Sequence, residues 1–431
     1  MKRIVGLLCL LALSGTAADA APRLLTLDDC LAITAEKNRD IQKAREYAKL
    51  VQGRYVEERA AALPQLGLNA GVSYSKDDGM KALYGSAQLQ SSRNVEVSLS
   101  QPLFTWGKLS AAIRAAEVGL QTADQQLRLY RQAAFREVST AFYDLLLARE
   151  LHRLAQENQA QKKRHQEEAH RKFSAGTATD YDLLAADVEL ENARPEVIRS
   201  ANGIRTAKER LRFLLGIDQE EFEISGRIES STTAAPGYAA ALATALEKRP
   251  ELVDQRLRIG IYGELLTIAE ADNKPRLDLR GAAGWHQMEL SEAGPTRRSD
   301  GPAWNAGIYL TFPFFDGLRA SGKTQQARSE LRTRQIEELK LKDTIALDVR
   351  TAQYALTEAD EIIKALAGTV RQAQRLLQMS EKGFEYGVKT RLDVDDAQTN
   401  LLRAENNLLR ATRDYLVALV NLRWTMGVLG E

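Results

Sequence analysis

Few residues in the 431-residue chain have the type and spacing to do chemistry, and the carboxylates just after residue 390 are the clearest group. Thr390 stands three residues before Asp393, the spacing of a box in which hydroxyl and carboxylate cap the first turn of a helix. Gly387 precedes it where the preceding helix needs a left-handed residue to stop. Gly176, Thr179 and Asp182 repeat this arrangement earlier in the chain. Capping therefore accounts for Asp182 and Asp393. It does not account for Asp396, which lies one turn further along the face of Asp393. Other chemistry is scarce. His152, His165, His170 and His286 are scattered, and His165 and His170 are five apart, off the i, i+4 spacing of a zinc pair. No Ser/His/Asp or Cys/His constellation and no Gly-rich phosphate loop is present, so an enzyme, a metal centre and a cofactor are not expected. Cys30 is the only cysteine left once Cys9 departs with a secretory signal, and it falls in an apolar stripe suited to packing.

The elements that must position these acids are long. From 108 to 174 the chain has no proline, and Leu109, Ile113, Ala116, Leu120, Ala123 and Leu127 recur at spacings of four and three. This spacing predicts one coiled-coil helix on the order of 100 Å long. A near-neutral charge of +1 with 27% charged residues leaves no basic patch for nucleic acid. Residues 1–20, with Lys2, Arg3, the apolar run Ile4 to Leu13 and Ala18-Asp19-Ala20, form a secretory signal. Its apolar run is too short to span a bilayer, and no other stretch is long and apolar enough to do so.

An offset of 211 residues relates Pro64 to Pro275, Pro102 to Pro313, Phe173 to Phe384, Gly176 to Gly387 and Gly216 to Gly427. The chain is a tandem duplication. The first repeat covers 21–217, with a helix over 27–62, strands over 65–75 and 94–103, the long helix 108–174 and a helix 178–216. A polar connector, 218–237, contains Ser230-Ser231-Thr232-Thr233. The second repeat covers 238–427, with a helix broken at Arg249-Pro250, strands 276–286 and 303–313, a long helix 319–385 and a helix 390–427; residues 428–431 are a tail. The fold class is mainly α with a small β part.

Each strand alternates apolar with small or polar residues, as in Leu66, Leu68, Ala70 and Val72, or Trp304, Ala306, Ile308 and Leu310. Outer-membrane barrels use this dyad, although a half-buried soluble sheet shares it. The aromatics favour the barrel. Trp285 and Trp304 are expected at strand ends beside a long loop, 287–302, whereas Phe104, Trp106, Phe312 and Phe315 gather at the opposite ends as a second interfacial girdle. Pro102 and Pro313 are expected to end the ladders and turn strand into helix. Four strands cannot close a barrel, so several chains must share one. A periplasmic coiled-coil scaffold without a channel is the alternative.

With the duplicated order of elements, Gln101-Pro102-Leu103-Phe104, Phe312-Pro313-Phe314-Phe315-Asp316-Gly317 and the run Phe384-Glu385-Tyr386-Gly387 through Ala397, the chain resembles the TolC-like outer-membrane efflux proteins over nearly its whole mature length. The resemblance implies a homotrimer with a shared 12-stranded barrel in outer-membrane lipid and a helical tunnel through the periplasm. It also implies partners, a periplasmic membrane-fusion adaptor and an inner-membrane pump of RND or ABC type. Asp393 and Asp396 match acids that line the family's entrance, and in a threefold arrangement they would stack as two carboxylate rings favouring cations. Phe384, Lys389 and Asp182 match a tyrosine, an arginine and an acid that latch the closed entrance. Phenylalanine lacks the hydroxyl and lysine lacks the planar fork, so a weaker latch is expected.

Overall fold

The computed structural model describes residues 23–79, 88–218, 221–229, 236–291 and 296–430. The signal, its cleavage site and Ser230-Ser231-Thr232-Thr233 lie outside them. The elements run β1 (Arg23–Leu25), α1 (Leu27–Lys37), α2 (Arg39–Ala60), β2 (Gln65–Asp77), β3 (Gln88–Phe104), α3 (Lys108–Ser174), α4 (Asp180–Leu215), β4 (Phe222–Ile224), α5 (Tyr238–Lys248), α6 (Pro250–Ala271), β5 (Arg276–Ser291), β6 (Arg297–Thr311), α7 (Arg319–Glu385) and α8 (Arg391–Thr425). No helix among the described residues is long and apolar enough to cross a membrane.

Contacts divide the chain into two units, one of residues 1–34, 138–230 and 366–413, the other of residues 35–137, 231–365 and 414–431. The second holds a four-stranded antiparallel sheet in the order β2-β3-β5-β6, so each repeat supplies one hairpin and the two hairpins pair through β3 and β5. Register puts Leu66, Leu68 and Ala70 opposite Leu99, Val97 and Val95, with Trp285 opposite Val95 and Trp304 opposite Ala283. All of these lie on one face. It is open to the surroundings: Leu66 is 73% exposed, Ile308 65% and Trp304 80%.

Three expectations are corrected here. Residues 287–302 are not a long loop, because β5 continues to Ser291 and β6 begins at Arg297, with Gln287 still opposite Asp300 and Glu289 opposite Arg298. Apolar alternation stops after Trp285, but a backbone ladder does not require it. Arg298 bridges Glu289 and Asp300 across this polar extension. Trp285 and Trp304 thus stand at the edge of the apolar band and not at the strand ends. Pro102 does not end its ladder: it pairs with Asp278, and β3 continues through a register shift to Phe104. The reversal into the helices is made further on, where Trp106-Gly107 and, 211 residues later, Gly317-Leu318 hold positive φ. Finally, the helix over 27–62 is broken as its partner is. Asn38 occupies the place of Arg249 and accepts from the N–H groups of Asp40 and Ile41, starting α2 with a side-chain cap where α6 starts with Pro250.

The core of this unit includes Ala241, Ala245, Leu252, Ile345 and Val349, all fully buried. Beside it Arg249 donates to Asp348 at 2.8 Å and lies over the Trp424 ring, whose other neighbour is Arg136. The other unit packs Val138, Ala141, Phe142, Leu145, Leu211 and Leu215 in its interior, with β1 and β4 paired in parallel. Burial pushes the Cys30 thiol up to about 12, which leaves it neutral and unreactive.

Gly427 ends α8 at φ +74°, and a Cβ there would come within 2.8 Å of the Arg249 backbone nitrogen. Gly427→Ala is expected to lower unfolding stability by about 1–3 kcal/mol, combining left-handed strain with a backbone clash. Thermal unfolding against wild type measures it, and an unchanged midpoint would show that α8 relaxes there.

Candidate functional site: the hairpin tips

Both acid motifs sit where a long helix reverses into a shorter one, and both reversals belong to the first unit. At the first, Gly176 takes φ +73°, its N–H bonds the Phe173 carbonyl, and the Thr177 N–H reaches back to the Lys172 carbonyl. Gly387, Phe384, Val388 and Gly383 repeat those bonds in the second copy. A Cβ at either glycine would be strained by that φ alone.

The restarts are equally alike. Asp182 accepts from the N–H of Thr179 at 2.9 Å while its own N–H reaches the threonine hydroxyl at 3.2 Å. Asp393 repeats this with Thr390 at 2.8 and 3.3 Å. It also receives the Lys389 ammonium at 3.1 Å. The Thr390 N–H and hydroxyl, helped by Lys389, hold the Asp393 carboxyl down to about 2, and the Thr179 donors lower Asp182 in the same way. Asp396 is exposed.

Within the chain the expected latch partners go elsewhere. Lys389 bonds Asp393, the Phe384 ring lies 5.3 Å from the Lys172 ammonium, and Asp182 caps its own helix. One link between the two hairpins is a part-buried network that the sequence reading missed. On α8, Asp395 receives Arg391 Nε at 3.1 Å and Lys162 Nζ, from α3, at 3.0 Å. Lys162 also binds Glu189 of α4 at 3.0 Å. Arg391 donates to His165 Nδ1, which must therefore be the unprotonated nitrogen of a neutral ring. Burial, then the charges of Arg391 and Lys162, lowers the His165 pKa to about 4. Burial alone would raise Asp395, but Lys162 and Arg391 outweigh it and keep it ionised. The Arg391 and Asp395 spacing of four was a visible signal for this pair; its partners on α3 were not, because nothing in the sequence gives the register of one hairpin against the other.

Among the described residues no group of three or more His, Cys, Asp or Glu side chains is placed to hold a metal ion. The tips also expose apolar side chains: Tyr181, Tyr386 and Val388 are about four-fifths exposed, and Leu184 and Leu392 more than half.

A duplicated α-helical hairpin chain carrying a sheet with an outward apolar face defines a class, the outer-membrane channel proteins. The profile of the family described as "Outer membrane efflux protein" matches residues 31–217 and 241–428, and the chain belongs to that family. It is 24% identical over 381 residues to outer membrane protein TolC of Vibrio cholerae, covering 86% of this chain and 84% of that one. It is 27% identical over 384 residues, 86% of this chain and 78% of the other, to the alkaline protease secretion protein AprF of Pseudomonas aeruginosa. Among solved structures, the CmeC outer membrane channel of Campylobacter jejuni superposes with a TM-score of 0.81 at 17% identity, covering 93% of this chain and 85% of that one.

The His165 environment carries a pH sign. Its folded pKa, about 4, lies below the ordinary 6.5, so the unfolded chain binds the extra proton between those values. The stabilisation is full above pH 6.5 and is lost as pH falls towards 4. Thermal melts should show the wild type losing more stability over that window than His165→Gln, which keeps an acceptor for Arg391 without titrating. Parallel curves for the two would exclude His165 as a source of acid lability.

Proposed function

We propose that the chain is one third of a trimeric outer-membrane channel, the exit duct of a tripartite efflux or type I secretion system. The observation that carries this reading is the sheet. It has four strands, an exposed apolar face and two unpaired edges, β2 and β6, in a protein of the outer membrane. Unpaired backbone groups in hydrocarbon cost several kcal/mol each, so copies must pair edge to edge until the ring closes. With the apolar face turned to lipid, Trp285 and Trp304 mark one boundary of the band and Phe104, Trp106, Phe312 and Phe315 the other. The charged extension above the tryptophans stands in water. A channel-free scaffold has no use for such a face.

Helix α7 adds support, because Ile336, Leu339, Leu347 and Tyr354 are exposed along it at helical spacing, a stripe for a neighbouring copy to cover. The exposed apolar tips suit a periplasmic adaptor, which would join the channel to an inner-membrane RND or ABC pump. The family is one of channel proteins, and no catalytic role is assigned.

We place the entrance at the second tip. Asp393 is fixed and ionised by its cap, Asp396 is free to face an axis, and three copies would set six carboxylates around it. Asp182, Thr179, Thr390 and the glycines shape the turn, and Lys389 tempers the charge of Asp393. The detergent-solubilised particle should have the mass of three chains; a monomer would sink the barrel and the function together. In planar bilayers the wild type should prefer cations and be blocked by a trivalent cation from the periplasmic side. Asp393→Asn with Asp396→Asn should remove both properties while the trimer persists. Unchanged selectivity in that double variant would place the constriction elsewhere.

A further inference from the structure

The polar face of the sheet has a feature that neither the strand pattern nor the entrance acids explain. Asp278 on β5 is only 1% exposed. Its carboxylate lies between two arginines of its own strand, receiving Arg276 Nε at 2.7 Å and Arg280 Nη2 at 3.4 Å. Residues two apart share a face, so the three form a row. Both guanidiniums remain about half exposed, and that of Arg280 lies 5.4 Å from the centre of the Tyr309 ring. One acid cannot neutralise two arginines.

The same imbalance recurs at the adjoining helix ends. Asp272 receives Lys323 at 2.7 Å and Lys108 as well, and these two ammoniums hold its carboxyl below the usual range. Exposed Lys274 has no ion-pair partner among the described residues. Lys108, Lys274 and Arg276 converge on a cavity of about 470 Å³, whose wall also carries Ser100, Thr105 and Glu58. Counting Arg280 and Lys323, five cations stand here against Asp272, Asp278 and Glu58. The carboxylates of Asp272 and Asp278 are already taken up by two cations each.

From this arrangement we infer that the helix end of the sheet's polar face binds anionic groups, carboxylates or phosphates, of molecules in transit. The inference rests on the channel reading above, which makes this face the wall of the lumen. Asp278 then has a positioning role. Extended arginines normally sample many rotamers, and a buried carboxylate shared between them holds the Arg276 fork at the cavity wall and the Arg280 fork two residues along the same face, beside Tyr309, before an anion arrives. In a trimer the site occurs three times around the lumen, so an anion in transit would meet a favourable collar.

Full-length channels in planar bilayers test this with inorganic tripolyphosphate as the probe. Wild-type conductance should fall in a voltage-dependent manner as the probe is added. Arg276→Gln with Arg280→Gln should raise the half-blocking concentration by about tenfold or more, as expected for losing charge-assisted pairs. Arg93→Gln, which removes a cation from the opposite, apolar face, should leave the block as it is. If the double variant does not insert, Lys274→Gln on the cavity wall makes the same comparison with a smaller shift. Conducting channels that tripolyphosphate does not block, or that it blocks equally in the wild type and the cavity variants, would overturn the site while leaving the channel intact. A wild type that forms no channel at all would overturn both.

Discussion

The need to pair every backbone N–H and C=O where water is absent governs this molecule. A lone four-stranded sheet leaves β2 and β6 with unsatisfied outer edges while presenting Leu66, Leu68, Ile308 and Leu310 to the surroundings. In water such a sheet would aggregate through its apolar face, and in lipid it would be penalised at its edges. Closure with other copies, as proposed above, would resolve both problems at once. The duplication gives each chain two hairpins that already pair through β3 and β5, so only one further kind of sheet contact is needed.

Helix caps do for the hairpins what edge pairing does for the sheet. At each tip two successive devices meet: a left-handed glycine returns the last carbonyls of one helix, and a threonine-aspartate box collects the first N–H groups of the next. Both bonds from Thr390 fall on an acid that also meets Lys389, which explains why Asp393 remains ionised far below ordinary acidity. A carboxylate immobilised in this way is a dependable fixed charge. Asp395 is a different case, since its charge is neutralised between Lys162 and Arg391 and serves to tie one hairpin to the other.

Charge is thus used in two ways along the chain. Where acids and bases match in number and are largely buried, as in Asp144 with Arg413 or Asp395 and Glu189 with Lys162 and Arg391, they fix register between helices. Where the count is unequal, as around Asp272 and Asp278, the surplus is left facing a cavity. The second arrangement costs stability through like-charge repulsion and is difficult to explain as packing alone.

Periodicity, the offset of 211 residues and short motifs determined much of this by themselves. The long helices, the two-hairpin plan, the tip glycines and the capping boxes are all local, because each depends on residues within about one turn of each other. The break at Asn38 was missed because asparagine marks a helix start only when its side chain turns back on the next N–H groups, whereas Pro250 excludes the alternative outright. The extensions of β5 beyond His286 and of β3 before Asn94 were missed for the opposite reason: with mostly polar residues on both faces, no apolar alternation was left to betray a ladder that its hydrogen bonds sustain. Only the tertiary structure could show that His165 and Lys162 meet Arg391 and Asp395, or that Lys108 and Lys323 share Asp272. Those pairs lie 226, 233, 164 and 51 residues apart, and what joins them is the register of packed helices, which no local pattern encodes.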